Sequence, residues 1–150
     1  MQIRSAETAG FCFGVERAVA LAEQTARSCK NAVTLGPITH NRHVVERFAR
    51  MGLHEISSAD EAQPGQTVVI RAHGIPVTEQ QTLIARGAKI VDATCPFVKK
   101  IHVIAERAER EGRQLLVIGT PTHPEVLAIA SFSSHAHVFR TAEALQSWLT

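Results

Sequence analysis

The two parts of this chain repeat each other with a constant shift of 83 residues. The shift places Cys12 on Cys95 and His40 on His123, so that each cysteine is followed 28 residues later by a histidine. Further matches pair Gly36 with Gly119, Thr39 with Thr122, and residues 58–61 with residues 141–144. Any two α/β units share some spacing of apolar segments, but identical cysteine and histidine placement favours a duplicated structural unit.

Apolar segments and helical patterns alternate along the chain. Short buried strands are predicted at residues 33–35, 67–70, 89–91 and 115–118, and amphipathic helices at 15–26, 41–51, 77–86 and 97–111. Strands separated by helices favour a parallel sheet. We therefore expect an α/β fold of repeated parallel-sheet αβα units, with a complete first unit at residues 1–94 and an incomplete second unit at residues 95–150. The second unit ends before a counterpart of the strand at 67–70.

Composition excludes several classes of protein. Of the 150 residues, 45% are hydrophobic and 20% are charged, which is typical of a globular domain. The net charge is only +2, and the basic residues are scattered, which argues against nucleic-acid binding. No apolar segment is long enough to span a membrane, so we expect a cytoplasmic protein. Three widely spaced cysteines suit reduced thiols or metal ligands better than disulfides.

Two of the cysteines are expected at helix starts. Cys12 precedes a predicted helix, and Cys95 precedes Pro96, a residue type favoured at the first helical position. A helix start lowers a thiol's pKa and favours the thiolate that binds metal. A single such cysteine is often an inert buried thiol, but two in equivalent turns favour metal ligands. Cys29, which the repeat matches with Gly112, is predicted to be structural.

Three histidines follow predicted strands, namely His40, His73 and His123. Because the carboxyl ends of parallel strands share one edge of a sheet, one crevice could hold all three side chains. Each could alone be a cap or a core residue, but together they predict a phosphate-binding site. Glu125 is either an acid that complements a helix dipole or a proton donor beside His123. Thr94 is either a helix cap or a hydroxyl facing the crevice. The remaining histidines are assigned to the surface or to packing: His43, His54, His102, His135 and His137.

Five segments together resemble the 4-hydroxy-3-methylbut-2-enyl diphosphate reductase family, also called LytB/IspH. They are GFCFGV at 10–15, GPITHN at 36–41, RAHGIP at 71–76, DATCP at 92–96 and HPEV at 123–126. The resemblance covers essentially the whole chain as the N-terminal half of such a protein. After Val126 the sequence departs from the family, which usually has a glycine-containing turn there.

The resemblance implies three α/β units around a [4Fe-4S] cluster, with one cysteine ligand from each unit. Cys12 and Cys95 match the first two ligands, and the third is expected outside these 150 residues. His40, His73 and His123 match residues that bind the substrate diphosphate. Glu125 matches the acid of the proton-delivery network. The implied enzyme is an oxidoreductase of isoprenoid biosynthesis, in the methylerythritol phosphate pathway. It removes a hydroxyl from an allylic diphosphate and gives isopentenyl and dimethylallyl diphosphate.

The implied partners are an external electron donor, such as ferredoxin or flavodoxin, and either a C-terminal half or a second copy of the chain. Two other functions remain open. A zinc-dependent hydrolase would also use cysteine and histidine, although no closely spaced ligand pair is present. A non-catalytic module would keep the diphosphate-binding histidines without a stable cluster.

Overall fold

The computed structural model describes residues 2–4, 6–7 and 9–150 and shows helices alternating with short strands. In chain order the elements are α1 (Phe13–Ser28), β1 (Ala32–Leu35), α2 (Arg42–Arg50), β2 (His54–Ile56), a 3₁₀ turn (Ala59–Glu61), β3 (Thr67–Ile70), α3 (Val77–Ala85), β4 (Lys89–Asp92), α4 (Pro96–Arg110), β5 (Leu115–Ile118), α5 (Pro124–Ala130), β6 (Ala136–Phe139) and α6 (Ala142–Leu149).

The strands form two parallel sheets. The first has the order β2-β1-β3-β4, and the second pairs β5 with β6. The shift of 83 residues carries both ends of β1 onto the ends of β5, and β6 overlaps the position of β2. Among the described residues, the second sheet has no counterpart of β3 or β4. The predicted α/β class with parallel sheets is confirmed, and the unit limits at residues 94 and 95 stay a prediction.

The first sheet is covered on both faces. All four residues of β1 and of β3 are buried. Val69 packs in one cluster with Ala18 and Ala22 of α1, whereas its neighbour Val68 packs in another with Leu83 of α3. Uninterrupted apolar strands are typical of parallel sheets between two helical layers. The carboxyl ends of the strands therefore form an edge where loops from both layers meet.

The strands and helices that the sequence predicts are present in the structure and differ from the prediction mainly at their ends. β3 and β5 have their predicted limits, and the four predicted helices begin and end within two residues of the observed positions. Asn41 caps α2 instead of belonging to it, because its side chain accepts hydrogen bonds from the N–H groups of His43 and Val44. The sequence patterns did not predict β2 and β6.

Helix α4 and strand β5 leave apolar side chains exposed. Phe97, Ile101 and Ile104 lie four and three residues apart on α4, and all three are exposed. On β5, Leu116 and Ile118 are also exposed and lie on the same face of the strand. Separately, none of the helices in the described ranges combines the length and apolar character that a membrane span requires.

Candidate functional site

Cys12 and Cys95 occupy equivalent positions, each as the residue that caps the start of a helix. Cys12 precedes α1 and is exposed, and Cys95 precedes α4 and is partly buried. Neither helix start has a side-chain hydrogen bond from its cap residue. The first-turn amides can therefore stabilise a thiolate or an anionic group held by it.

The turn of Cys95 packs directly against the first turn of α1. A side-chain carbon on Gly14 would lie 2.6 Å from Sγ and 2.9 Å from Cβ of Cys95. Arg17 donates a hydrogen bond from Nη1 to the carbonyl oxygen of Thr94 at 3.2 Å. The rings of Phe13 and Phe97 meet edge to face, with centroids 6.4 Å apart. Glycine at position 14 thus lets the two cysteine-bearing helix starts come together.

Backbone pairing continues past the ends of β3 and β4 and joins the Cys95 turn to the His73 turn. The N–H of Ala93 bonds to the carbonyl of Ile70 at 3.0 Å, and the N–H of Cys95 bonds to the carbonyl of Ala72 at 2.9 Å. The residue after Ala72 is His73. The second cysteine and the central histidine are therefore positioned by one extended ladder.

The three predicted phosphate-binding histidines form a row. The ring centroids of His40 and His73 are 6.2 Å apart, and those of His73 and His123 are 5.7 Å apart. Each histidine comes from the loop after a different strand, β1, β3 or β5. His40 and His123 are exposed, whereas His73 between them is half-buried. The row offers several imidazole nitrogens to one ligand.

Burial and neighbouring charges both act on the pKa of His73. Burial lowers its pKa most, and the Arg71 charge lowers it next. The Glu125 carboxylate opposes these effects, while His123 and His40 add to them. The buried Nδ1 atom of His73 has no hydrogen-bond partner in the protein. An unpaired buried polar atom is costly, so a ligand or water that reaches it is favoured.

His123 and Glu125 lie together at the start of α5. His123 caps this helix, and its Nδ1 accepts a hydrogen bond from the N–H of Glu125 at 3.3 Å. In the neutral ring the proton is then on Nε2, which can donate to a ligand. Glu125 is partly buried, and its charge acts on both His73 and His102. The acid therefore adjoins the histidine row.

Two further residues adjoin this site and were not among the predicted ones. Arg71 lies against Gly36, whose added side-chain carbon would be 2.6 Å from Nη1 of the arginine. His102 is buried, stacks on Phe132 at 4.5 Å, and lies under Gly74, where an added carbon would be 2.7 Å from its Cε1. Burial lowers the pKa of His102, although nearby carboxylates oppose this. The spacing of Val98, His102 and Ala105 on α4 could have indicated that His102 faces inward.

Two other residues from the sequence are placed as follows. Cys29 caps the end of α1 and packs against the core beside that helix. Thr94 is not the cap of α4, because Cys95 holds that position. Instead Thr94 is buried, and its N–H donates to Oδ1 of Asp92 at 2.9 Å.

The fit of a metal group rests on the two cap cysteines. Thiolates are soft ligands suited to iron–sulfur clusters or zinc. The close approach of Gly14 to Cys95 brings both cysteine turns to one place. Over residues 2–4, 6–7 and 9–150, no group of three or more His, Cys, Asp or Glu side chains is arranged to hold a metal ion. The two cap cysteines would supply only part of the ligand set of such a group.

Comparisons with known proteins agree on one family. A family model described as LytB protein matches residues 3–149. The chain is 43% identical to the 4-hydroxy-3-methylbut-2-enyl diphosphate reductase of Solidesulfovibrio magneticus, covering 97% of this chain and 54% of that protein. It is 44% identical to the Aquifex aeolicus protein of the same name, covering 85% of this chain and 44% of the relative.

Solved structures give the same picture. One described as (E)-4-hydroxy-3-methyl-but-2-enyl diphosphate reductase, the terminal enzyme of the non-mevalonate pathway, superposes with a TM-score of 0.80 at 40% identity, covering 94% of this chain and 53% of that one. A Plasmodium falciparum reductase superposes with a TM-score of 0.86 at 26% identity, covering 93% of this chain and 45% of that one. The chain spans about half the length of the relatives it matches.

Proposed function

Because the chain belongs to the LytB protein family, we propose that it forms the N-terminal half of the active site of a 4-hydroxy-3-methylbut-2-enyl diphosphate reductase. The observation that carries this proposal is the row of His40, His73 and His123, which come from three separate loops and adjoin Glu125. The substrate would be an allylic diphosphate, and an external donor such as ferredoxin or flavodoxin would supply electrons. A cytoplasmic setting suits three free thiols.

The histidine row would bind the diphosphate. His123 would donate from Nε2, since its Nδ1 already accepts the N–H of Glu125. The unpaired Nδ1 of His73 would gain a partner from the ligand or from an ordered water. Diphosphate bound here would fix the rest of the substrate relative to the two cysteine turns.

Cys12 and Cys95 would hold two irons of a [4Fe-4S] cluster, and a third thiolate would come from the polypeptide that completes the protein. When bound, such a cluster supplies electrons and an open iron position for the hydroxyl oxygen of the substrate. Glu125 would hold the proton needed by the leaving hydroxyl, within the field of His73. A non-catalytic diphosphate-binding module stays a second candidate, because two thiols alone do not complete a cluster site.

The first experiment is calorimetric titration of the 150-residue chain with inorganic diphosphate. Replacing His40, His73 or His123 by alanine should weaken binding, each by about 1 to 3 kcal/mol for a lost charge-assisted hydrogen bond. His54→Ala is the matched control, since His54 is exposed and begins β2, at the amino ends of the parallel strands and away from their carboxyl ends. Absence of diphosphate binding, or equal losses in the control, would refute the assigned role of the row.

The second experiment tests the cluster and the acid. Anaerobic reconstitution with iron and sulfide, together with the C-terminal half of the Solidesulfovibrio magneticus relative, should give the brown colour of a [4Fe-4S] protein. Cys12→Ser and Cys95→Ser should abolish the colour, while Cys29→Ser should keep it. Glu125→Gln should slow turnover and leave diphosphate affinity unchanged. Stoichiometric zinc with no iron would instead favour a hydrolase.

A further inference from the structure

The histidine row has little permanent positive charge of its own. His73 is half-buried and has a lowered pKa, mainly because of burial, so its ring is neutral near pH 7. His123 accepts the N–H of Glu125 at Nδ1, which leaves only its Nε2 to donate to a ligand. Inorganic diphosphate and its esters are polyanions at this pH. Neutral donors alone would leave most of that charge uncompensated in a partly dehydrated site.

Arg71 is a permanent cation at this place. It follows β3 directly, as Gly36 follows β1, and Leu35 and Ile70 are paired in register just before them. Gly36 and Arg71 are therefore neighbours at the carboxyl ends of adjacent strands. Gly36 begins the loop that carries His40, and Arg71 begins the loop that carries His73.

The Arg71 guanidinium occupies the space that a side chain on Gly36 would fill. An added carbon there would lie 2.6 Å from Nη1 and 3.2 Å from Cζ of Arg71. Gly36 also has a φ of +69°, a conformation that other residues rarely adopt. The glycine thus both makes the turn and leaves room for the guanidinium at the start of the His40 loop.

Within the part of the chain that the structure describes, Arg71 forms no ion pair. The ion pairs found there do not include Arg71. Its Nε atom is buried and lacks a hydrogen-bond partner. Of the charged groups that act on His73, Arg71 has the largest effect, ahead of Glu125 and the two flanking histidines. A partly buried cation with an unsatisfied donor, beside an unpaired buried nitrogen of His73, matches an anion of more than one charge.

We propose that Arg71 supplies the permanent positive charge of the diphosphate site, with its guanidinium held over Gly36 between the His40 and His73 loops. This inference rests on the proposed diphosphate binding. It assigns two roles to residues outside the histidine row: Arg71 compensates the charge of the ligand, and Gly36 positions the guanidinium.

The test is calorimetric titration with inorganic diphosphate at pH 6 and pH 8.5, using the 150-residue chain. At pH 8.5, Arg71→Gln should weaken binding at least about tenfold, as expected for a lost hydrogen bond to a charged group. The loss should be smaller at pH 6, because a bound polyanion favours the protonated form of His73 at the lower pH. Arg71→Lys should keep most of the affinity at pH 8.5, because it keeps the charge although it lacks the planar fork.

Two more variants separate this role from a structural one. Gly36→Asn tolerates the positive φ but adds a carbon that displaces the guanidinium, so it should weaken binding at pH 8.5 as Arg71→Gln does. Arg110→Gln is the matched charge control, since Arg110 ends α4, a 15-residue helix that starts at the site, and is exposed. It should bind like the unaltered chain. Histidine NMR of Arg71→Gln without ligand should show a raised pKa of His73, because the opposing cation is gone.

The outcomes are distinct. If the unaltered chain binds no diphosphate, the proposed function and this inference both fail. If His73→Ala loses affinity while Arg71→Gln binds at pH 8.5 like the unaltered chain, the histidine site stands and the role of Arg71 is wrong. Unchanged binding by Gly36→Asn at pH 8.5 would likewise overturn the placement of the guanidinium.

Discussion

Replacing Gly14 by alanine should destabilise the chain, although alanine is the better helix residue. Gly14 is the second residue of α1 and has no positive φ, so alanine there causes no backbone strain. In a helix, alanine is favoured over glycine by about 0.5 to 1 kcal/mol. Against this, the new methyl group would lie 2.6 Å from Sγ and 2.9 Å from Cβ of Cys95.

The destabilisation from the steric contact with Cys95 should exceed the stabilisation from the higher helix propensity of alanine. The Cβ of Cys95 is fixed by its backbone, so no change of rotamer relieves the 2.9 Å contact, and α1 and α4 must separate. Overpacking of this kind costs about 1 to 3 kcal/mol. Taking the middle of each range, we expect Gly14→Ala to lower the free energy of unfolding by roughly 1 kcal/mol.

Urea denaturation of the 150-residue chain measures this change. Ala20→Gly, at an exposed position of the same helix, measures the free-energy difference between alanine and glycine in this helix without a steric contact. It is therefore the control for the helical gain expected in Gly14→Ala. Cys95→Ala removes the sulfur but keeps Cβ, so the double variant with Gly14→Ala should be more stable than the sum of the two single losses predicts. If Gly14→Ala were as stable as the unaltered chain or more so, the close packing of the two cysteine turns would be refuted.

Three other predictions concern the rest of the chain. Gly74→Ala should destabilise the protein by about 1 to 3 kcal/mol in urea denaturation, because position 74 has a φ of +75° and faces His102. Adding His102→Ala removes the steric contact but not the backbone strain, so the double variant should recover only part of the lost stability. Full recovery would exclude backbone strain. Hydrogen bonds from Ser134, then His135 and Ser133, lower the pKa of Glu109 from 4.5 to about 2, so this carboxylate stabilises the fold above pH 4.5 and the benefit is lost as pH falls towards 2. Glu109→Gln should therefore be less stable than the unaltered chain at pH 7, with a difference that narrows between pH 4.5 and 2 in pH-dependent urea denaturation; a constant difference would contradict this. The open edge of β5 and the exposed face of α4 should make the 150-residue chain associate in sedimentation experiments. Amide hydrogen exchange should be faster after Cys95 than before it. A monodisperse monomer with uniform protection from exchange would contradict the prediction.

The sequence was sufficient to predict the features that repeat or that follow a simple period. The apolar segments of β3 and β5 are buried strands whose limits agree with the pattern, and the shift of 83 residues carries β1 onto β5. The convergence of His40, His73 and His123 followed from a general property of parallel sheets, whose carboxyl strand ends share an edge.

Other features depend on contacts that no local pattern encodes. β2 contains His54, Glu55 and Ile56, of which only Ile56 is buried. These residues form a strand because they pair with β1, and not because they have a hydrophobic pattern of their own. The contact of Arg71 with Gly36 depends on the register between β1 and β3, which sequence spacing alone does not give. The approach of Cys95 to Gly14 requires two helix starts to meet in space.

The hydrogen bond between Cys95 and Ala72 has a mechanical consequence. Cys95 caps the start of α4, yet its amide is bonded to a turn that follows a strand of the first sheet. Nearby, the N–H of Val77 donates to the hydroxyl of Ser131 at 3.0 Å, and this bond also joins the two parts of the chain. The amide of Cys95 thus ties the turn before α4 to the first sheet. Moving the cysteine relative to that sheet would require breaking this bond, so the position of the thiol depends on the first sheet and not only on the helix that follows it.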